Sequence, residues 1–531
     1  MLDPAAQLPP RFNAAEFFID RHIAEGRATK VAIICGESQT TYGELAAMVD
    51  QAGNALLRLG VRSEERVLLL LLDCPEFAAA FFGAIKIGAV PVPVSTMLKP
   101  DEYEYLLNDS GARVVIVSES LIEKITAIPH ERVPALEHII TVSVRPAALS
   151  RSRSGSDIAH HEFNALIASE SSELPPAPTH KDDACFWMYS SGSTGAPKGC
   201  VHLQHDMVVT AELYARNVLG ITEDDRFFST AKLFFAYGLG NALYFPLLVG
   251  GTSILMSAPA RPQDVFEIIE RHRPTLLFSV PSSYAAALHF QRPDGGDYDL
   301  SSVRYAVSAG ESLPAAIYHR FKERFGVEIL DAIGSTEALH MFIANRPGAV
   351  RPGSSGQLIP GCAARIVDEE GRPVATGEIG NLYIRSDATC AFYWRQHEKS
   401  KETFEGPWLR TGDKYSLDAD GYYWYAGRSD DMLKVSGVWV SPVEIENVLI
   451  EHEAVAEVAV VARRDTDELL KPAAWIVPAN GFHAGAELAG ALTEFAKSRL
   501  PGRKVPRWFE FVDELPKTAT GKLQRYKLRN V

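Results

Sequence analysis

The chain has 531 residues, a formal net charge of −14 at pH 7, a pI of about 5.6 and 46% hydrophobic residues. This length predicts about two to four domains with an ample core, and the acidic balance argues against a nucleic-acid partner. The six cysteines are scattered without CxxC spacing, which indicates a reduced, cytoplasmic setting and excludes a disulfide framework.

Helices alternate with short, almost continuously apolar strands along the first two thirds of the chain. A hairpin is predicted over residues 30–42, followed by a helix from Gly43, and a further helix is predicted over 79–87. Apolar runs predict strands at 67–72, 90–94, 114–117, 138–142, 275–280, 303–308 and 327–331. This alternation is typical of α/β proteins with parallel sheets.

Residues 233–256 carry no charge over a length that could cross a membrane. Five glycines and prolines interrupt the segment (Gly238, Gly240, Pro246, Gly250 and Gly251). A buried loop, helix and strand therefore explain it better than a membrane span. The first ten residues also lack the basic and apolar regions of a signal peptide.

The pattern of residue types along the chain changes near Gly356. Residues 361–427 are rich in strands and in Gly and Asp turns, which predicts a small β-barrel layer, and the last hundred residues repeat a compact β/α pattern. We therefore predict a large N-terminal domain over 1–427, with two parallel-type α/β sheets plus the barrel layer. A hinge at 428–430 and a small, mobile α+β C-terminal domain over 431–531 follow.

A loop rich in glycine and hydroxyl groups spans residues 190–199. Glycines allow positive φ angles, so that successive N–H groups can converge on an anion, and Lys198 adds a positive charge. The loop is predicted to follow a strand over 184–189 and to precede a helix from Val201. Its composition predicts a polyphosphate cradle, although Pro197 before the lysine excludes the Walker pattern. A plain Gly/Ser turn is the alternative.

His202 and His205 are three residues apart and resemble a metal pair at first sight. No third ligand lies at a suitable spacing nearby. A structural or surface pair is therefore favoured.

Four segments far from the cradle complete a set of motifs: residues 331–337 (DAIGSTE), 408–413 (WLRTGD), 425–431 (YAGRSDD) and 515–522 (LPKTATGK). Together with the cradle, they resemble the signature motifs of the adenylate-forming superfamily. This group contains acyl- and aryl-CoA synthetases, luciferases and the adenylation domains of peptide synthetases. The motifs stand in the family's order, and the resemblance covers essentially the whole chain from about residue 15.

The resemblance assigns roles around ATP and Mg²⁺. It implies that Thr336 contacts the α-phosphate, that Glu337 holds Mg²⁺ and that Asp413 accepts the ribose hydroxyls with support from Arg428. Residues holding the β- and γ-phosphates would be Ser190, Ser191, Gly192, Ser193, Thr194, Gly195 and Lys198, and residues bordering adenine would be Gly310, Glu311 and Asp331. Ile333 departs from the family pattern, because many relatives carry an aromatic there that stacks on adenine.

The resemblance also implies a second step with coenzyme A. Lys522 resembles the catalytic lysine that bridges the carboxylate and the α-phosphate, and Asp430 matches the hinge about which the small domain rotates. Gly437 resembles the glycine that lines the pantetheine tunnel. Arg503 and Lys504 could meet the CoA phosphates, although a solvated surface explains them nearly as well.

The acyl pocket narrows the substrate class. The stretch 234–240 (FFAYGLG) offers aromatic walls and lacks the Asp with which α-amino-acid-activating relatives pair the substrate ammonium. With residues 334–340 it most resembles benzoate–CoA ligases. Two residues depart from that pattern and leave the ring substituent open: Ala332 stands where the pattern has Gly, and Ala338 stands where a larger residue is typical. The predicted pocket consists of Phe235, Ala236, Tyr237, Gly238, Ser282, Ala309, Gly334, Ala338 and His340.

The resemblance therefore implies an aryl–CoA ligase that uses ATP, Mg²⁺ and coenzyme A on benzoate or a small substituted benzoate, with 2-aminobenzoate a strong candidate. The main alternative is an aryl-acid adenylation enzyme that loads a carrier protein, and a luciferase-type oxygenase or an inactive binding module is disfavoured. The sequence leaves the ring substituent, the pathway and the oligomeric state open, including a homodimer.

Overall fold

The structure, a computed structural model, describes residues 4–143, 158–190, 196–292, 295–435, 438–465, 469–517 and 523–529. It confirms the predicted class: mixed α/β, with parallel sheets in a large N-terminal domain and a smaller C-terminal domain. The predicted linker at 150–156 lies outside the described residues.

A nine-stranded sheet forms the centre of the N-terminal domain. Its inner strands are parallel and its edge strands join antiparallel, including the predicted hairpin at one edge. In spatial order the strands are Gln357–Leu358, Met341–Ala344, Ile329–Gly334, Tyr305–Ser308, Leu276–Ser279, Arg226–Ser229, Thr252–Leu255, Val31–Cys35 and Ser38–Thr41.

A second sheet of five strands is parallel throughout. Its spatial order is Val90–Pro93, Arg66–Leu70, Val114–Ser118, His138–Val142 and Ala159–Glu162. The central strands are buried along almost their whole length, as expected when helices cover both faces of a sheet. This burial is why continuous apolar runs predicted them correctly.

The predicted cradle lies in a third, antiparallel sheet of strands Phe392–Tyr393, Lys198–Leu203 and Ala184–Ser190. The helix predicted from Val201 is wrong, because this stretch pairs along its length with the strand before the cradle. A helix begins only at Asp206. The two strands that flank the cradle are therefore paired with each other, and strand pairing outweighs local helix propensity.

The strand-rich region after Gly356 forms a five-stranded antiparallel sheet, Ala363–Val367, Gly380–Arg385, Trp408–Leu417 and Phe404–Glu405, with Tyr423–Arg428 paired to Trp408–Leu417. Among the described strands no pairing closes this sheet into a barrel. The layer is an open sheet rather than the expected barrel.

The C-terminal region has its own sheet, in which Val455–Arg464 pairs antiparallel with Leu470–Pro478, and Trp508–Phe511 adds in parallel. A short hairpin, Leu433–Val435 with Val438–Val440, precedes it. Helices Pro442–Leu449 and Ala486–Lys497 contribute to a separate apolar cluster with this sheet. Helices Gly502–Lys504 and Arg525–Leu528 complete the region.

The helices of the N-terminal domain cover its two parallel sheets and fill the space between them. They are Pro4–Gln7, Glu16–Asp20, Arg21–Ala24, Tyr42–Arg58, Pro75–Lys86, Pro100–Ser110, Glu119–Leu121, Glu123–Thr126, His130–Arg132, Phe163–Ile167, Asp206–Thr210, Ala211–Arg216, Ala236–Leu239, Gly240–Tyr244, Phe245–Val249, Pro262–His272, Pro281–His289, Ala315–Phe325 and His397–Thr403.

The uncharged segment 233–256 folds as predicted, into a buried loop, three consecutive short helices and the strand Thr252–Leu255. Within the part of the chain that the structure describes, every helix is too short or too polar to cross a membrane. The segment instead forms part of the main core and one side of the predicted acyl pocket.

Candidate active site

Ser190 and Lys198 stand opposite each other at the two ends of the cradle. Ser190 ends one strand, Lys198 begins the next, and the two residues are paired in register. Ser191, Gly192, Ser193, Thr194 and Gly195 lie outside the described residues. The carbonyl of Pro197 accepts hydrogen bonds from Tyr105 Oη at 3.2 Å and Gln396 Nε2 at 3.5 Å, so the C-terminal side of the turn is tied to neighbouring segments.

The carboxylate of Glu337 joins these cradle residues to the central sheet. Its Oε1 accepts hydrogen bonds from Ser190 Oγ at 3.1 Å and Tyr393 Oη at 2.8 Å, and lies 3.8 Å from Lys198 Nζ. Burial alone would raise the pKa of Glu337, but the charge of Lys198 and the two hydroxyl donors outweigh it and lower the pKa. The carboxylate is therefore ionised at neutral pH, as a hard-cation ligand must be.

Tyr393 is a site residue that the sequence analysis missed. The Lys198 ammonium lies 4.5 Å from the centroid of its ring, and its hydroxyl donates to Glu337. Tyr393 reaches this position because the strand Phe392–Tyr393 pairs with the cradle strand, opposite Cys200. No motif marked it, since it is nearly 200 residues from Lys198 in sequence and becomes a neighbour only through this pairing.

Thr336 and Glu337 lie in a tight turn between the strands Ile329–Gly334 and Met341–Ala344. The carbonyl of Thr336 accepts the N–H of Leu339 at 3.1 Å, and Leu339 has a φ of +64°. Positive φ is rare and strained for a bulky side chain, and such strain persists only where the surroundings impose it. The turn therefore holds one fixed conformation, with Thr336 partly exposed and Leu339 buried.

Asp413 and Arg428, predicted near the ribose, are paired across neighbouring strands. Arg428 Nη1 lies 3.1 Å from Asp413 Oδ1, and the charge of Asp413 raises the pKa of Arg428. Asp413 is almost buried while about half of the Arg428 side chain is exposed. The pair therefore joins a nearly buried carboxylate to a half-exposed guanidinium across two neighbouring strands.

The residues predicted to border adenine lie at the ends of neighbouring strands of the central sheet. Asp331 pairs in register with Ser308, and Asp331 Oδ2 accepts the N–H of Leu313 at 3.2 Å. Burial raises the pKa of Asp331 well above its usual value. Gly310 has a φ of +90°, a conformation that favours glycine. Gly310 follows the carboxyl end of the strand Tyr305–Ser308, and Asp331 lies where the parallel pairing with that strand ends. Open α/β sheets bind ligands at such ends.

Tyr237 and His340 form an uncharged aromatic wall in the predicted acyl pocket. Their ring centroids are 5.6 Å apart, and Phe245 packs on His340 at 4.6 Å. The single hydroxyl hydrogen of Tyr237 faces two backbone carbonyl acceptors, with Oη 3.2 Å from the carbonyl of Ser279 and 3.0 Å from that of Val307. His340 Nε2 lies 3.1 Å from Asn241 Oδ1, and burial lowers the pKa of His340 to about 3. His340 is therefore neutral at physiological pH.

Small residues adjoin this wall, since Ala236, Ala309 and Ala338 are buried and pack into the same core as Leu339. Gly238 and Gly334 are at positions where an added side chain would meet backbone carbonyls at 2.1 Å and 2.3 Å. Phe235 stacks edge-on against Phe234 at 4.5 Å. Ser282 instead lines a separate cavity of about 140 Å³ beneath the helix Pro281–His289. Phe266, Ile269 and Tyr284, which pack together in one apolar cluster, also line this cavity.

A buried acid and base fix the loop that begins the acyl pocket. Asp73 Oδ1 accepts the N–H of Leu233 at 3.0 Å, and Lys232 Nζ donates to the carbonyl of Ala258 at 2.7 Å while lying 3.9 Å from Asp73 Oδ2. Burial raises the pKa of Asp73 to about 6. The sequence analysis missed Asp73, which lies 160 residues from Leu233 in sequence.

Lys522 and Gly437 lie outside the described residues. Leu523, the residue after Lys522, donates its N–H to Glu311 Oε1 at 3.1 Å and so ties the C-terminal segment to the adenine side of the site. The carbonyl of Asp430 accepts from Arg529 Nη2 at 3.0 Å. Lys504 Nζ is held by Glu444 at 2.5 Å, and Arg503 is exposed.

Two comparisons of sequence place these residues in a known context. The model of the AMP-binding enzyme family matches residues 20–394, and the model of the AMP-binding enzyme C-terminal domain matches residues 444–522. The benzoate–CoA ligase of Thauera aromatica is 48% identical to the chain over 529 residues, which covers 99% of this chain and 97% of that protein.

Solved structures give the same picture. An anthranilate–CoA ligase, AuaEII, in complex with anthranoyl-AMP superposes with a TM-score of 0.93 at 46% identity, covering 99% of this chain and 98% of that chain. A benzoate–CoA ligase from Burkholderia xenovorans LB400 gives a TM-score of 0.88 at 44% identity, covering 98% of this chain and 100% of that chain.

Gly240 tests the packing of the His340 wall. A Cβ at Gly240 would lie 2.5 Å from His340 Cδ2 and 2.8 Å from Tyr244 Oη, both of which are buried. We expect Gly240→Ala to lower the free energy of unfolding by about 1–3 kcal/mol, because the ring must move. Denaturant unfolding measures the change.

The matched control is Gly490→Ala, in the helix Ala486–Lys497, where an added Cβ meets nothing within 4 Å. This change should stabilise by about 0.4–1 kcal/mol. If Gly240→Ala were as stable as the parent, the close packing of His340 against this helix would be wrong.

Proposed function

The chain belongs to the AMP-binding enzyme family and is an AMP-forming acid–CoA ligase, and we propose that its acid is benzoate or a small substituted benzoate such as 2-aminobenzoate. Aryl–CoA ligase activity is supported by the Thauera aromatica relative and by the two solved ligases. The ring substituent is the new part of the proposal.

The uncharged aromatic pocket is the observation that carries this proposal. The Tyr237 hydroxyl is within hydrogen-bonding distance of two backbone carbonyls. His340 is neutral, and its Nε2 lies 3.1 Å from the side-chain oxygen of Asn241. A pocket without charge favours a flat apolar ring. It disfavours the ammonium of an α-amino acid, because burying a charge without a partner costs roughly several kcal/mol. Ala309 and Ala338 are buried and small, which suits a planar ring in the proposed pocket.

Adenylation requires charge neutralisation, because a carboxylate is a weak nucleophile and the α-phosphate of ATP repels it. In the proposal, Lys198 and the cradle hold the β- and γ-phosphates while Thr336 contacts the α-phosphate. Asp413, fixed by Arg428, accepts the ribose hydroxyls. Lys522 bridges the carboxylate and the α-phosphate, and the acid's oxygen displaces pyrophosphate to form an aryl-adenylate.

Mg²⁺ fits the carboxylate of Glu337, which is ionised, largely buried and close to Lys198 and Ser190. When bound, the ion would supply further neutralisation of phosphate charge. Glu337 would hold it, and the hydrogen bonds from Tyr393 and Ser190 would keep the carboxylate oriented.

The second step, attack of the CoA thiol on the adenylate with release of AMP, is proposed to follow rotation of the domain over residues 431–531. Asp430 would be the hinge within 428–430, and Gly437 would line the pantetheine tunnel. Arg503 is free to meet a CoA phosphate in this scheme, whereas Lys504 would first have to leave Glu444. The contact between Leu523 and Glu311 supports an adenylating arrangement of the C-terminal segment.

The substrate proposal is tested by pyrophosphate release with benzoate, 2-aminobenzoate, hydroxybenzoates and short fatty acids. We expect both benzoate and 2-aminobenzoate to react, since one small group in an apolar pocket changes discrimination by only about 1–3 kcal/mol. Ala338→Met should lower kcat/KM for 2-aminobenzoate more than for benzoate, because it fills space beside the ring. Equal losses would remove Ala338 from the ortho position, and efficient use of hexanoate alone would overturn the aryl assignment.

The role of Lys522 is tested by separating the two half-reactions. Lys522→Ala should reduce adenylation at least about a hundredfold, because a charge contact of the transition state is lost, yet still convert supplied aryl-AMP and CoA to the thioester. Lys517→Ala is the matched control, since Lys517 lies in the same motif but is paired with Glu457 at 2.7 Å. Equal loss of both half-reactions in Lys522→Ala would make this lysine structural.

A further inference from the structure

One face of the strand Lys198–Leu203 contacts the turn that carries Thr336 and Glu337. Side chains two residues apart on a strand share a face, so Lys198, Cys200 and His202 point the same way. Lys198 Nζ lies 3.8 Å from Glu337 Oε1, and His202 Nε2 lies 2.9 Å from the carbonyl oxygen of Thr336. The strand therefore meets the turn at two points, one of which has no role in the reaction proposed above.

His202 is completely buried, and both ring nitrogens face oxygen atoms. The carbonyl of Thr336 can only accept a hydrogen bond, so Nε2 carries a hydrogen and donates it. Nδ1 lies 2.8 Å from Asp206 Oδ2. Phe186 stacks on the ring at 5.1 Å with an interplanar angle of 19°. The ring is thus fixed in position and orientation.

Asp206, the partner of His202, is itself held in place. It is completely buried at the start of the helix Asp206–Thr210, and its Oδ2 also accepts the N–H of Leu203 at 3.1 Å. Its Oδ1 lies 3.2 Å from His205 Nε2. His205 Nδ1 in turn lies 2.9 Å from the carbonyl of Lys181. The two histidines, which resembled a metal pair in sequence, instead lie on either side of one carboxylate, and His205 Nε2 faces the carbonyl of Asp387 at 3.2 Å.

The carbonyl of Thr336 is the point at which this buried network reaches the site. It accepts from His202 and from Leu339, whose positive φ shows that the turn is held under strain. Hydrogen bonds in a dry interior are strong, and a displacement of about 1 Å in a reacting group can cost about a hundredfold in rate. Loss of the His202 bond would release the backbone beside Thr336 and Glu337.

We propose that His202 and Asp206 are positioning residues for adenylation: His202 holds the Thr336 carbonyl, and Asp206 fixes the ring of His202. This inference rests on the proposed roles of Thr336 and Glu337. It assigns no contact with substrate to either residue. It therefore predicts that loss of either residue slows adenylation and leaves the rate of thioester formation unchanged.

The test replaces His202 with Phe, which keeps the stacking on Phe186 and removes both ring nitrogens. The turnover number for pyrophosphate release should fall about tenfold to a hundredfold, while KM for the acid changes less than about twofold. Thioester formation from supplied acyl-AMP and CoA should stay within about twofold of the parent. His202→Gln should recover part of the lost rate, because its amide can donate to the Thr336 carbonyl.

His22→Phe is the matched control. His22 is also completely buried, and its Nε2 lies 2.6 Å from the carbonyl of Leu247, far in sequence from the turn. The His22→Phe variant should be less stable than the parent, but the ratio of its adenylation rate to its thioester-forming rate should not change. Asp206→Asn provides a second variant of similar shape, and should lower adenylation selectively if His202→Phe does not fold.

Equal loss of both half-reactions in the His202 and Asp206 variants, or the same selective loss in His22→Phe, would overturn the proposal. The assay uses whichever acid the parent enzyme activates fastest. The aryl assignment is then judged on the parent alone, and the role of His202 on the ratio of variant to parent, so the two can fail separately.

Discussion

The buried carboxylate of Glu337 is the interaction on which the rest of the site depends. It brings together a turn of the central sheet, the two strands of the cradle and the short strand that carries Tyr393. A buried acid without partners would take up a proton, because burial disfavours the charged form. Lys198 and the two hydroxyls prevent this, so the same contacts that join the layers also keep the carboxylate ionised.

On the predicted acyl side of the site, burial keeps the side chains uncharged, whereas Glu337 stays ionised. His340 is kept neutral by burial, and the Tyr237 hydroxyl is used by backbone carbonyls, so the wall offers a ring no charge. Glu337, on the proposed phosphate side, and His340, on the proposed ring side, both belong to the turn from Gly334 to His340. In the proposal that turn, strained at Leu339, sets the distance between the two sides.

Sequence reasoning succeeded where one segment carries its own signal. Apolar runs predicted most strands of the nine-stranded and the five-stranded parallel sheets, because these strands are buried on both faces, but missed Arg226–Ser229 and Ala159–Glu162. The motifs around Glu337 and Asp413 identified the family that the comparisons confirm. The predicted roles of individual residues, the hinge at Asp430 and the domain boundary stay predictions.

The failures arose where distant segments decide the outcome. The stretch from Val201 is a strand because the strand before the cradle pairs with it, and the layer after Gly356 stays open because no described strand closes it. Tyr393 and Asp73 escaped notice for the same reason, since each meets its partner only in the folded chain. The histidines at 202 and 205 were favoured as a structural or surface pair, and both are buried, but the link of His202 to Thr336 could not be seen from spacing.

The most direct measurement is the Mg²⁺ dependence of pyrophosphate release in Tyr393→Phe, with Tyr383→Phe as the control. Tyr383 also donates to a glutamate, Glu405, at 3.0 Å, but within the five-stranded antiparallel sheet that follows Gly356. Because the Tyr393 hydroxyl orients Glu337 and keeps it ionised, its removal should raise the half-saturating Mg²⁺ concentration about tenfold or more, while the control stays unchanged. An unchanged Mg²⁺ requirement in Tyr393→Phe would contradict the central place given to the Glu337 carboxylate.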